Sequence, residues 1–159
     1  MYEWIIVDGN NLIHSDRDNL FGNRRADFDL VRRALARSLD ELVGELAQRV
    51  TVVYDGTVGG RDEAFQTSEL QVVFSAAETS ADSIIERMVA DARAPETILV
   101  VSSDRGERDT VGAAGARTMS CENFIELVKD TRKAMERRLS SRRRRSAEPS
   151  LGDFFPKNG

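Results

Sequence analysis

Thiol and imidazole side chains are nearly missing from this chain. Among 159 residues there is one cysteine, Cys121, and one histidine, His14. A lone cysteine excludes an internal disulfide, and without a second Cys or His at ligand spacing it excludes a zinc site built on thiolates. A lone histidine argues against a metal-free ribonuclease that works with two imidazoles. His14 reads as a surface or packing residue, and Cys121 as a buried helix position with no base near it in sequence. Long apolar runs are absent as well. The first, Trp4–Val7, is too short for a membrane span and lacks the basic flank of a secretory signal. A cytoplasmic protein without a membrane partner is expected. There is no glycine-rich loop ending in Lys-Ser or Lys-Thr, and no G-x-G-x-x-G after a strand, so nucleotide cofactors lack their cradle.

What the chain does have is charge, unevenly placed. Residues 1–128 carry a balance of -10 and residues 129–159 a balance of +6. An acidic body with a basic end suits a nucleic-acid partner held mainly by that end. The end includes the run Arg142–Arg145 and the pair Phe154-Phe155. We read residues 1–139 as one folded domain and 140–159 as a basic, flexible tail. Its Phe pair is either a docking motif for a protein partner or packs back on the body.

The body alternates strands and helices. Ile5-Ile6-Val7 runs without alternation into Asp8-Gly9-Asn10-Asn11, as a strand buried on both faces does. Asp-Gly-Asn also serves as a plain turn, so the case for a site depends on other carboxylates reaching the same edge. Leu12–Asn23 reads as a short helix or ordered loop, and Asp27–Ala47 as one long amphipathic helix capped by Asp27 or Asp29. Arg24, Arg25, Arg32 and Arg33 read as a solvated face. Val50–Tyr54, Leu70–Ser75, Thr97–Val101 and Arg117–Met119 read as strands, and 57–69 as a loop. A helix capped by Thr79 or Ser80 carries Asp82 and Glu86 on one face, and Pro95 closes it. Ser120 caps a last helix through about Leu139.

Such alternation argues for a mostly parallel α/β sheet. Asp8, Asp55 and Asp104 then leave from carboxyl strand ends, and the helix start bearing Asp82 lies at that edge. Carboxylates converging without a Lys or His need a cation or raised pKa values. Oxygen ligands suit Mg²⁺ or Mn²⁺, and a cluster of this kind hydrolyses phosphodiesters by activating water.

Val7-Asp8-Gly9-Asn10-Asn11, Val52-Val53-Tyr54-Asp55-Gly56, Glu78–Glu86, Val101–Asp109 and Gly115–Ser120, in this order and spacing, resemble the YacP-type NYN domains, which belong to the PIN-like nucleases. The resemblance covers about residues 2–135. It implies a PIN-like/NYN three-layer sandwich, with a mostly parallel central sheet and helices on both faces, and a metal-dependent endoribonuclease activity. The best-known relatives are bacterial enzymes that cut mRNA in association with the ribosome. Carried over by position, Asp8, Asp82 and Asp104 are the metal-binding acids, with Asn11 and Ser103 in support and Asp109 at the rim. Asn10 stands where family members commonly have Tyr. The arginines Arg142, Arg143, Arg144 and Arg145 lie outside the resemblance and are expected to supply RNA phosphate contacts. The competing expectations are a non-catalytic RNA- or ribosome-binding protein, and a DNA nuclease or repair accessory docking through the Phe-Phe tail.

Overall fold

The first strand, β1 (Tyr2–Asp8), sits in the middle of the sheet and organises it. Ile5, Ile6 and Val7 have no exposed surface, because layers cover both faces of this strand. Each such side chain stabilises the fold by about 1.5–3 kcal/mol relative to exposure. The computed structural model describes residues 1–23, 27–56, 60–61 and 66–147. Beside β1 run β2 (Ala47–Tyr54) and, on its other side, the strand Ile98–Val101; both are parallel to it. In chain order the remaining strands are β3 (Gly60–Arg61), β4 (Leu70–Phe74), β5 (the Ile98–Val101 strand) and β6 (Arg117–Met119). The sheet order is β3-β4-β2-β1-β5-β6, parallel except for the two-residue β3.

Helices α1 (Gly9–Ser15), α2 (Phe28–Leu42) and α5 (Cys121–Ala147) cover one face. There Leu12, Leu35, Leu39, Phe124 and Val128 pack on Ile5, Val7, Val50 and Val52. Helices α3 (Ala81–Ala90) and α4 (Arg105–Ala113) cover the other, where Ala81, Ile85, Val89 and Val111 pack on Ile6, Val53 and Val100. The result is the expected three-layer α/β/α sandwich. The connection leaving β1 lies on the first face and the one leaving β5 lies on the second. A crevice therefore opens between these neighbouring strands at their carboxyl ends, the switch point where such folds bind ligands.

Several boundaries differ from the sequence reading. The helix expected through Ala47 stops at Leu42. Val43 turns extended, Gly44 takes φ +90°, a backbone region that favours glycine, and β2 already begins at Ala47. Leu46 fell on helical spacing but is buried through this turn. The Asp82 helix ends at Ala90, and Pro95 opens a short 3-10 turn instead of closing it. Helix α4 is one that the sequence did not reveal, because only Glu107 and Val111 are buried along it. The last helix does not stop near Leu139. It continues to Ala147, so Arg142–Arg145 are helical, and the flexible tail expected from residue 140 is helix for its first part. Arginine is a good helix former even where no apolar stripe remains. The Phe154-Phe155 pair lies outside the described residues. Cys121 is fully buried as expected, and burial pushes its thiol up to about 12, which leaves it inert.

Candidate active site

Asp8 ends β1 and caps α1. Its side chain accepts from the backbone N–H of Asn11 at 3.1 Å and from the Asn11 side-chain amide. Asn11 Oδ1 in turn accepts from the Ser103 hydroxyl, which comes from the turn after β5. Asp8, Asn11 and Ser103 thus form one chain of contacts across the two strands that flank the switch point. Asp8 is 2% exposed. Burial pushes its carboxyl up to about 6, against the Asn11 hydrogen bonds, with further upward pressure from the charges of Asp82 and Asp55.

Asp82 enters from the first turn of α3, behind the Ser80 cap. The third acid is Glu107, on the first turn of α4. One oxygen each from Asp8, Asp82 and Glu107 lie within 4.8 Å of one another. Glu107 is 3% exposed. Its Oε2 accepts from the Ser102 hydroxyl at 2.6 Å, while its Oε1 is buried with no donor group aimed at it, only the neighbouring Asp82 carboxyl. Burial is the main cause that pushes this carboxyl up to about 8, opposed by the Ser102 bond and reinforced by the neighbouring Asp82 and Asp8. Three acids crowded in a half-dry crevice, one with an orphaned oxygen, fit a hard divalent cation held by oxygen.

Asp104 is not one of this group. It caps α4 through Oδ1, which accepts from the backbone N–H of Gly106 at 2.8 Å and of Glu107 at 3.2 Å. The sequence placed Asp104 at this edge because it follows the apolar strand, and the family resemblance placed it among the metal-binding acids. The chain turns there into α4, one oxygen of the carboxylate caps that helix start, and Glu107 arrives one turn later. Asp109 is exposed on the same helix, two residues from each of its buried positions Glu107 and Val111, and faces away from the cluster. Asp55 is engaged elsewhere too. Its Oδ1 accepts from the N–H of Ala81 at 2.7 Å, fixing the start of the Asp82 helix, and its own N–H donates to Asn10 Oδ1 at 3.0 Å. Asn10 therefore positions Asp55. Glu86 is half-buried on α3 and outside the acid group. Glu107 was missed because it follows no strand. The signal in the sequence was a charged residue three positions after a helix-capping Asp, where a first-turn side chain faces back to the strand ends.

The solvated arginine face holds only in part. Arg33 is exposed, but the Arg32 side chain is 23% exposed and its guanidinium lies 5.0–5.7 Å from the ring centres of Phe28, Tyr54 and Phe74. Arg24 and Arg25 lie outside the described residues. His14 is exposed in the last turn of α1. Arg142–Arg145 are exposed near the end of α5.

A parallel three-layer sheet with clustered acids at its switch point has the architecture of a PIN-like nuclease domain. The chain belongs to the YacP-like NYN domain family, whose model matches residues 5–157. Two solved structures are similar in fold. The crystal structure of the W164L mutant of Rae1 (YacP) from Bacillus subtilis is 25% identical, with a TM-score of 0.72, covering 95% of this chain and 88% of that one. The crystal structure of Rae1 (YacP) from Bacillus subtilis without that substitution is 24% identical, with a TM-score of 0.72, covering 91% and 84%. A search of curated proteins finds no match to the chain. Among the described residues no helix is long and apolar enough to cross a membrane.

Proposed function

We propose that this chain is a Mg²⁺- or Mn²⁺-dependent endoribonuclease that hydrolyses RNA phosphodiester bonds in the crevice between β1 and β5. The observation that carries the reading is the gathering of Asp8, Asp82 and Glu107 around a buried carboxylate oxygen with no donor, in a fold of the nuclease-like NYN family. These three acids would hold the ion. A divalent cation bound there lowers the pKa of water and neutralises charge that builds on the phosphate. The chain's own groups set the geometry. Asn11 and Ser103 fix the Asp8 carboxylate, Ser102 fixes Glu107, and Asp55 fixes the start of the helix bearing Asp82. Asp104 acts through Glu107, by holding the helix turn that carries it. The exposed Arg142–Arg145 segment supplies phosphate contacts away from the acids, which would otherwise repel RNA.

The test is cleavage of a mixed single-stranded RNA by purified protein in Mn²⁺ and in EDTA, beside Asp82→Asn. Cutting that needs the metal and is lost in the variant is expected. The same comparison on translating ribosomes covers a substrate presented as mRNA on the ribosome. Silence in both settings would overturn the nuclease in favour of a binding protein that keeps the fold.

A further inference from the structure

At the carboxyl edge of the sheet, on the face opposite the acids, stands a cluster that the metal chemistry does not use. Tyr54 and Phe74 are cross-strand partners at the ends of β2 and β4. Their rings stack with centres 5.5 Å apart and 24° between planes. Phe28, the first residue of α2, meets Tyr54 edge-on at 6.4 Å and 75°. The Arg32 guanidinium lies over all three rings, at 5.2, 5.7 and 5.0 Å from Phe28, Tyr54 and Phe74, and also pairs with Asp29.

The members differ in exposure. Tyr54 is 2% exposed, whereas Phe28 is 38% exposed. The cluster is continuous with the acid site through Gly9. A Cβ added at Gly9 would lie 2.3 Å from the Tyr54 ring, so the ring is pressed against the residue that follows Asp8. The acids lie on the α3/α4 side of this edge and the aromatic cluster on the α1/α2 side, with the Gly9–Asn10 start of α1 between them.

We infer that Phe28 is a stacking platform for one unpaired base of an RNA strand that crosses this edge from the acid site, with Arg32, held by Asp29, fixing the ring from behind. The inference rests on the endoribonuclease reading above. An exposed aromatic ring held rigid on one side needs little further ordering to stack a base, and every base has a π face, so the platform favours single strands without reading sequence. A duplex cannot use the platform, because its bases are already stacked and paired.

The test is binding of fluorescent oligo-U by the full chain carrying Asp82→Asn, which keeps the RNA intact, compared with an abasic ribose-phosphate oligomer of equal length. Phe28→Ala is expected to lose roughly 5- to 100-fold in affinity for oligo-U, the effect of one stacked base. The abasic oligomer is expected to bind both proteins equally weakly. Phe28→Trp should retain affinity. Phe28→Leu, which keeps an apolar side chain without a π face, should lose it even if the alanine variant fails to fold. Cleavage by the chain with its acids intact is followed alongside. If the folded Phe28→Leu variant binds oligo-U as the parent does while cleavage proceeds, the platform is wrong and the nuclease stands. If the parent neither binds nor cuts single-stranded RNA, free or on translating ribosomes, both readings fall together.

Discussion

The Ser102 hydroxyl donates to Glu107 Oε2 at 2.6 Å inside the protein, and the other oxygen of that carboxylate, equally buried, has no donor aimed at it. One half of Glu107 is thus fixed and the other left available beside Asp8 and Asp82. Removing the fixing bond should loosen the site without removing a ligand. Ser102→Ala is expected to weaken Mn²⁺ binding and lower the cleavage rate about 10- to 100-fold, the usual effect of losing such a supporting bond. Titration calorimetry beside single-turnover kinetics measures both. Unchanged metal affinity in a folded variant would show that Ser102 serves packing alone.

The raised pKa values of Asp8, about 6, and Glu107, about 8, make the metal-free protein sensitive to pH. Both values lie above those of the unfolded chain, so the folded state holds these protons more tightly. Their stabilising contribution is complete at pH below about 4 and is lost as pH rises through 6 and then 8. The two acids share a site with Asp82 and titrate together. In EDTA, the wild-type melting temperature should therefore fall relative to Glu107→Gln between pH 5 and pH 8. Added Mn²⁺ competes with those protons, so its stabilising shift should grow over the same range. A wild-type curve parallel to that of Glu107→Gln throughout would contradict the burial of this charge.

Gly9 is required by space. Its position is helical, where alanine would ordinarily stabilise, but a Cβ would sit 2.3–2.7 Å from three atoms of the buried Tyr54 ring. That ring is stacked on Phe74 and cannot swing aside freely. Gly9→Ala is expected to cost about 1–3 kcal/mol in chemical denaturation, by overpacking. A neutral or stabilising result would mean that the ring relocates at no cost.

Under the proposed function the basic end of α5 contacts RNA phosphates and takes no part in the chemistry. Replacing Arg142–Arg145 by Gln should reduce RNA affinity and flatten its salt dependence, by about 0.7 in the logarithmic slope for each phosphate that is no longer neutralised. The single-turnover rate at saturating RNA should change little. An unaltered slope removes these arginines from the interface.

Much of the fold was legible because its signals are local and strong. Ile5–Val7 and Ile98–Val101 are uninterrupted apolar runs, and only a strand covered on both faces needs that pattern. The caps were legible to within a pair of candidates each, Asp27 or Asp29 and Thr79 or Ser80, since a side-chain oxygen answers a backbone N–H two or three residues ahead; Asp27 and Ser80 do so. What stayed hidden depends on longer range. Helix α4 buries too little to show a period, and α5 outlasts its apolar stripe. Asp8 and Asp82 were visible as acids at the right edge. Whether Asp104 or Glu107 accompanies them depends on which one caps the helix start, and that is decided by the turn after β5. The aromatic rings around Arg32 join α2, β2 and β4, and nothing in the sequence places those elements side by side.

The measurement closest to the central claim is Mn²⁺ binding to the wild-type chain, Glu107→Gln and Asp104→Asn, by calorimetry at pH 8. Asn caps a helix as well as Asp does, so the second variant leaves α4 in place. The account predicts that Glu107→Gln weakens binding at least tenfold while Asp104→Asn binds as the wild type does. Loss of binding in Asp104→Asn, with Glu107→Gln unaffected, would contradict it.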